Sequence, residues 1–379
     1  MSSSFMREFA HLQIPLESII CATNNFANSN FIAQGAYGKV YKGDFSSSEG
    51  PTISAVKRWN PLNEDGGPEF RREIMLLAEN IHENLITLLG FCDEKKERIL
   101  VYEYAPNKSL DFHLADPKLT WVQRLKICLE TARGLQYLHN PKEAQRVLHC
   151  DIKSGNILLD ENWKAKVSDF GLSKYGPATV FRSYLITQAK GTLGYVDPAF
   201  METLVYTKES DVYSFGVVLF EVLCSRVCID FSCDDDAHRC LVAWVKKSSK
   251  EEIRDTIIHS NLRQQMKHHS FDKFLKLALQ CVEKEPRRRP SMDIIVGTLE
   301  SALKSQERFV KFKKASGIML DIAAASLIRI SPEASRVPLM LKSALSEDRP
   351  FGITCKNLIR TFHGSKQISP KDESSHPEP

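Results

Sequence analysis

His149-Cys150-Asp151-Ile152-Lys153-Ser154-Gly155-Asn156 is followed, thirteen residues after the asparagine, by Asp169-Phe170-Gly171. Between the two lie Ile157-Leu158-Leu159, the polar run Asp160-Glu161-Asn162-Trp163, and Lys164-Ala165-Lys166-Val167, which read as a strand, a turn and a strand. A hairpin folded about residue 162 sets Asn156 opposite residue 168. Asp169 then returns beside Asn156, the placement two oxygen ligands of a magnesium ion need, and Asp151 lies a few residues away on the same loop. Spacing alone brings these acidic groups together.

Working outward, Gly35-Ala36-Tyr37-Gly38-Lys39-Val40 falls between two strand-like segments, where positions without side chains let backbone N–H groups approach phosphates. Lys57 stands late in the strand-like run Ile53-Ser54-Ala55-Val56-Lys57, placed to reach phosphates, and Glu73 on the next helix is placed to hold its ammonium. Each signal alone is weak. Their agreement in order and spacing carries the reading.

Residues 1–30 read as an N-terminal lead with turn and cap chemistry in Thr23-Asn24-Asn25-Phe26 and Asn28-Ser29-Asn30. Residues 31–105 read as a small sheet with one helix. Val40 to Asp44 and Ile53 to Lys57 form an antiparallel hairpin, Glu69 to Glu79 a helix with Phe70, Ile74, Leu77 and Ala78 on one face, and Ile86 to Phe91 and Arg98 to Tyr104 further strands. From Trp121 the period becomes helical, with the stripe Val122, Leu125, Leu129, Ala132 and Leu135, and residues 106–307 read as a larger, mainly helical lobe. Helices are expected at Lys208 to Leu223, Cys240 to Ser248, Phe271 to Glu283 and Ser291 to Leu303. The signal weakens past Glu307, and residues 308–379 read as a partly disordered extension.

The 379 residues, 42% hydrophobic and 26% charged, suffice for two lobes. A formal net charge of +4 is too mild to argue for nucleic acid as a partner. The longest apolar run, Phe215 to Cys224, is broken by Glu221 and is too short to span a bilayer, so no transmembrane segment is expected. Met1 to Glu8 lacks the basic and apolar regions of a signal peptide, and Ser2 excludes the N-myristoyl anchor, so a soluble intracellular chain is the default expectation. Ten cysteines are scattered, as reduced thiols would be, and Cys224, Cys228, Cys233 and Cys240 with His238 fit no zinc spacing.

Over about residues 20 to 305 the chain resembles the eukaryotic protein kinases, whose signature is H-R-D-L-x-x-x-N followed by D-F-G. More narrowly it resembles the kinase domains of plant receptor-like kinases of the Pelle/IRAK group, nearest the malectin-type (FERONIA-like) branch. The resembling segments are Ala22-Thr23-Asn24-Asn25-Phe26, Leu100-Val101-Tyr102-Glu103-Tyr104, Gly191-Thr192-Leu193-Gly194-Tyr195, Ser210-Asp211-Val212-Tyr213-Ser214-Phe215-Gly216 and Arg289-Pro290-Ser291-Met292. The resemblance implies an α+β, bilobal fold: a small antiparallel β-sheet lobe with one helix and a larger, mainly α-helical lobe.

It also implies an ATP- and magnesium-dependent serine/threonine protein kinase of receptor-like cytoplasmic type, with manganese as an alternative ion, protein Ser/Thr hydroxyls as acceptors and a membrane receptor kinase as a partner. Its expected place is the cytoplasm, held at the plasma membrane through partners. By resemblance, Asp151 orients the acceptor hydroxyl and takes its proton, Lys153 neutralises the transferring phosphate, Asn156 and Asp169 bind the metal, and Lys57 and Glu73 complete the catalytic set. The nucleotide contacts implied are Ala33, Gly35, Gly38, Val40, Ala55, Lys57, Tyr102 as gatekeeper, Glu103, Ala105, Leu158 and Asp169. Lys153 and Thr192 match the serine/threonine pattern, Asp211 anchors the catalytic loop, and Leu77, Leu88, His149 and Phe170 stack as the regulatory spine.

Three positions depart from the family pattern. Cys150 replaces the signature arginine, as in the non-RD kinases, so activity is expected not to need an ordering phosphate, although Ser183 and Thr187 are candidate modification sites. Ala33 replaces the first loop glycine, tolerable if its φ stays below zero, and weaker ATP binding is expected. Asp197-Pro198-Ala199 replaces the usual A-P-E, so Arg289 is expected to lose its glutamate partner, with Glu202 as a substitute. These departures keep a second reading open, a kinase-fold scaffold with little phosphotransfer.

Overall fold

Strands β1 (Phe31–Gly35), β2 (Gly38–Asp44), β3 (Ile53–Trp59), β4 (Leu88–Glu94) and β5 (Glu97–Glu103) pair antiparallel in the order β1-β2-β3-β5-β4. Because strand side chains alternate faces, β3 turns Ser54 and Val56 to one side and Ala55, Lys57 and Trp59 to the other. Val40 pairs opposite Lys57 and Ala55 opposite Tyr102, so the residues expected around a nucleotide share one region of sheet. The computed structural model describes residues 3–35, 37–45, 50, 52–60, 67–140, 145–177, 185–186, 191–233 and 235–330, giving the backbone alone at 3, 4, 6, 186, 236 and 317–330. Ala36, Ser183, Thr187 and the tail from residue 331 lie outside the described residues.

The N-terminal lead differs from its sequence reading. Helices α1 (Ser3–Glu8) and α2 (Leu16–Ala22) form part of the small lobe's core. Leu16 and Ile19 pack on Val56, Cys92, Ile99 and Val101, one face of the sheet. Ile14 N donates to Phe91 O at 2.8 Å. Helix α3 (Gly67–Glu79) packs Phe70, Ile74 and Leu77 inward as its period predicts, with Ala78 only partly buried.

In the larger lobe, α4 (Trp121–His139) starts at a capping box: Thr120 Oγ1 accepts from Gln123 N at 3.3 Å, and Thr120 N donates to Gln123 Oε1 at 3.0 Å. Helix α6 (Lys208–Cys224) is buried along its whole length after the first turn, which is why apolar residues occupy every face of it, with Asp211, Ser214 and Glu221 as buried polar exceptions. It crosses the helix His268–Cys281 so closely that a Cβ on Gly216 would lie 2.6 Å from Cys281 Cβ. Short strand pairs complete the lobe: β6 (Gln145–Leu148) with β9 (Lys174–Pro177), β7 (Ile157–Leu159) with β8 (Ala165–Val167), and β10 (Leu185–Ile186) with β11 (Val205–Tyr206). The expected α+β, bilobal architecture is the one observed. Among the described residues, no grouping of three or more His, Cys, Asp or Glu can hold a metal ion, and no helix is long and apolar enough to cross a membrane.

Residues 1–307 form one compact unit and residues 308–379 a second. The last helix runs Met292–Ile330, past Glu307, because between Glu307 and Pro332 only Gly317 opposes it.

Candidate active site

The β7–β8 hairpin sets the register of the site. Ile157 faces Val167, Leu158 faces Lys166 and Leu159 faces Ala165. At its turn, Asp160 Oδ1 accepts from the backbone N–H groups of Asn162 (2.8 Å) and Lys164 (2.9 Å). Ser168 N and Oγ both donate to Asn156 O, at 2.9 and 3.0 Å. Asp169, the next residue, adopts φ 68°, a left-handed conformation that a non-glycine residue keeps only where its surroundings enforce it.

Asp151 is buried and well partnered. Its Oδ1 accepts from Thr192 Oγ1 at 2.7 Å, and its Oδ2 accepts from Lys153 Nζ at 2.9 Å and Asn156 Nδ2 at 3.2 Å. Lys153 Nζ also donates to Thr192 Oγ1 at 2.8 Å. Thr192 therefore ties the segment from Gly191 to Tyr195 to both the acid and the cation of the loop.

Asp211, on α6, holds that loop from below. It accepts from His149 N (2.8 Å), Cys150 N (3.0 Å) and Tyr206 OH (2.7 Å), with His139 Nε2 at 2.9 Å. Burial opposes its charge, but the partnership with His139 and the other donors keeps the carboxyl below the usual range. Cys150 takes φ 69°. Its thiol sits in an apolar cluster with Leu148, Phe200 and Tyr206, against Leu172, Leu185 and Val196, and burial pushes it well up.

Across the cleft, Lys57 Nζ donates to Glu73 Oε2 at 3.1 Å and to Asp169 Oδ1 at 3.3 Å. Burial disfavours the ammonium, but the Asp169 and Glu73 carboxylates outweigh it and raise its pKa. Burial likewise raises Glu73, while the Lys57 and Lys153 cations overcome burial and lower Asp169. Tyr102 OH donates to Glu73 Oε1 at 2.7 Å, and Arg72 Nη1 donates to Gly171 O at 2.7 Å. Tyr37 and Trp59 present their rings to Lys57 Nζ at 5.7 and 5.3 Å.

Gly38 has φ +156°, and a Cβ there would lie 2.0 Å from Arg58 O, so the loop requires glycine; Gly35 has open space around its Cα. Ala33 lies in β1 opposite Val40, outside the positive-φ residues, which answers the steric question it raised. Val40, Ala55 and Leu158 are half-buried. The Glu103 side chain points away to Lys166 Nζ (2.9 Å) and Thr87, leaving only its backbone for a ligand, and Ala105 O accepts from Lys108 N.

Residues 26–299 match the family described as "Protein tyrosine and serine/threonine kinase". The chain belongs to this family. It is 44% identical over 304 residues to Receptor-like protein kinase HERK 1 of Arabidopsis thaliana, covering 79% of this chain and 36% of that protein. It is also 44% identical over 294 residues to Receptor-like protein kinase THESEUS 1 (77% and 34%) and 41% identical over 310 residues to Receptor-like protein kinase FERONIA (81% and 34%), both from the same plant. The chain thus spans about a third of the length of these curated relatives.

One expectation about this kinase domain is overturned. Arg289 is not left without a carboxylate: Asp197 takes it in a two-point grip, Nη1 to Oδ2 and Nη2 to Oδ1, each 2.7 Å. Its remaining N–H groups reach Glu283 O (2.8 Å), Glu209 O (2.9 Å) and Lys284 O (3.3 Å). Asp197 also caps helix α5 (Pro198–Thr203) through Ala199 N, and Glu202 instead lies by Lys284 at 3.8 Å. The carboxylate two residues before the usual glutamate position has taken over its role.

The sequence reading also missed a buried relay below Thr192. Glu221 Oε1 accepts from Tyr195 OH (2.6 Å) and Cys228 N (2.7 Å), Tyr195 OH lies 3.2 Å from Ser154 Oγ, and Glu221 Oε2 has no hydrogen-bond partner among the described residues. The glutamate interrupting an apolar helix was its signal. Burial pushes the carboxyl up to about 7. An unfolded chain releases that proton near 4.5, so the folded state binds the extra proton and stability falls as pH rises from about 4.5 to about 7. Glu221→Gln should abolish this loss, on the order of 3 kcal/mol. Urea midpoints of the two proteins should separate, in the variant's favour, as pH rises from 5 to 8; parallel curves would refute the assignment.

Proposed function

We propose that the chain is an ATP- and magnesium-dependent serine/threonine protein kinase that passes the γ-phosphate of ATP to protein hydroxyls. The observation that carries this reading is Lys57 held by both Glu73 and Asp169, across the cleft from Asp151, Lys153 and Asn156. The loose transition state of phosphoryl transfer spreads charge over oxygens, so positioned cations and an oriented acceptor supply most of the catalysis. That intact set supports catalysis over a scaffold.

The donor set fits the cofactors. Asn156 and Asp169 would hold magnesium, or manganese, through hard oxygen donors; two such residues make an incomplete cage, as expected where phosphate oxygens and water finish it. Lys57 would pair the ATP phosphates and Gly35 and Gly38 would cover them, with Ala33 beside them in β1. Val40, Ala55 and Leu158 would flank the adenine, Tyr102 would line its rear, and Glu103 and Ala105 would meet its edge through their backbones. ATP with its metal supplies the phosphoryl group. Asp151 orients the acceptor hydroxyl and takes its proton, and Lys153, bridged to Asp151 by Thr192, offsets the charge that develops. A peptide library incubated with ATP and magnesium tests this: phosphate should appear on Ser and Thr, whereas phosphate on Tyr alone, or on none, would refute it.

The cluster around Cys150 supports phosphate-independent activity. Leu185, Val196 and Phe200 meet the catalytic loop through apolar contact where the family's arginine would meet a phosphate. Phosphatase treatment should change turnover less than about tenfold, and a loss of about a hundredfold, the scale of a missing transition-state group, would contradict it. The relatives are named receptor-like protein kinases, which supports a place in receptor signalling; we place the chain in the cytoplasm beside a membrane receptor kinase.

A further inference from the structure

A row of aromatic rings runs from the N-terminal segment to the catalytic lysine. Phe5 and Phe9, one helical turn apart, meet with tilted rings at 4.9 Å, and Phe5 meets Phe91 of β4 edge-on at 6.4 Å. Phe91 meets Phe70 of α3 edge-on at 6.4 Å, Phe70 meets Trp59 at 5.8 Å, and Trp59 meets Tyr37 at 4.9 Å. Lys57 Nζ lies over the last two rings. Phe70 stands one turn before Glu73 on α3, so the row meets Lys57 directly and packs on the helix that carries Glu73.

The segment is fitted, not merely adjacent. Phe5 and Phe9 are 8% and 5% exposed, although α1 is too short to be stable alone. Gln13 bridges to Phe91 and Ile14 N donates to Phe91 O. A Cβ on Gly90 would lie 2.5 Å from Ile14 Cδ1 and 2.6 Å from Leu12 O, so the adjoining strand gives up a side chain to admit this segment. Close-packed interiors transmit displacement, since a lost ring leaves neighbours that relax only partly.

We propose that residues 5–14 are a positioning element of the kinase: Phe5 and Phe9 brace Phe91, and through it Phe70, so that α3 keeps Glu73 on Lys57. The proposal rests on the kinase reading for its activity readout only. Phe5 and Phe9 touch no reacting group and act through α3. Loss of the brace should let α3 drift and uncouple Glu73 from Lys57, with little effect on Asp151, Lys153 or Asn156 in the other lobe.

The test compares the full chain with its Phe5→Ala/Phe9→Ala and Phe5→Leu/Phe9→Leu forms, well below their melting temperatures, by kinetics and by amide exchange. The alanine form should lose about tenfold in kcat/KM for ATP, equivalent to about 1.4 kcal/mol, with faster exchange in α3 but not in α6. The leucine form should recover most of the loss. Unchanged kcat/KM and α3 exchange in the alanine form, or acceleration spread evenly over α3 and α6, would overturn the proposal. An inactive wild-type chain would refute the kinase reading instead, and α3 exchange would still decide this one. If the alanine form does not fold, Gly90→Ala, which presses on Leu12 and Ile14 from the strand side, takes its place with the same outcomes.

Discussion

Asp169→Asn should lower kcat by at least about a thousandfold while leaving the fold intact, the scale seen when a preorganised transition-state group is removed. The substitution is nearly isosteric and keeps an oxygen for Lys57, which retains Glu73 at 3.1 Å. What it removes is the negative charge that Lys57 and Lys153 hold ionised and that, on the proposed function, a divalent cation would need opposite Asn156. Circular dichroism and the melting temperature should change little. A variant within tenfold of wild-type kcat would mean that Asp169 does not carry the metal.

Asp197→Ala should destabilise the larger lobe by about 3–5 kcal/mol, the usual cost of stranding one member of a buried ion pair. Asp197 and Arg289 are both buried, and the aspartate also accepts from Ser210 Oγ (3.0 Å) and caps α5. Ala199→Glu, which would restore the familiar family residue, should give no gain, because all five N–H donors of Arg289 are already taken. Denaturant unfolding of the two variants checks both statements. An Asp197→Ala protein as stable as wild type would show that the pair contributes nothing.

Much of this arrangement was legible because it depends on local spacing. The β7–β8 hairpin needs only a turn about residue 162 to bring residue 168 onto Asn156, and strand alternation alone puts Ala55 and Lys57 on one face. The rest depends on contacts between residues distant in the chain, which periodicity does not encode. Tyr102 reaching Glu73 across 29 positions, and Asp197 reaching Arg289 across 92, could not be read from either neighbourhood. The Arg289 expectation fails because a motif position is not the interaction itself: the charge comes from Asp197, two residues earlier. Residues 1–30 read as a lead because their turn residues are conspicuous, while Phe5 and Phe9 form too short an apolar pattern to register beside them.

On the proposed function, Lys57, Glu73, Asp151, Asn156 and Asp169 form a working phosphotransfer site. Mass spectrometry of the full chain after incubation with magnesium and γ-labelled ATP, beside the Asp169→Asn protein, tests it most directly. Labelled phosphate is expected on serine and threonine residues of the wild-type chain and none on the variant; no label on either protein, or equal label on both, would refute the phosphotransfer site.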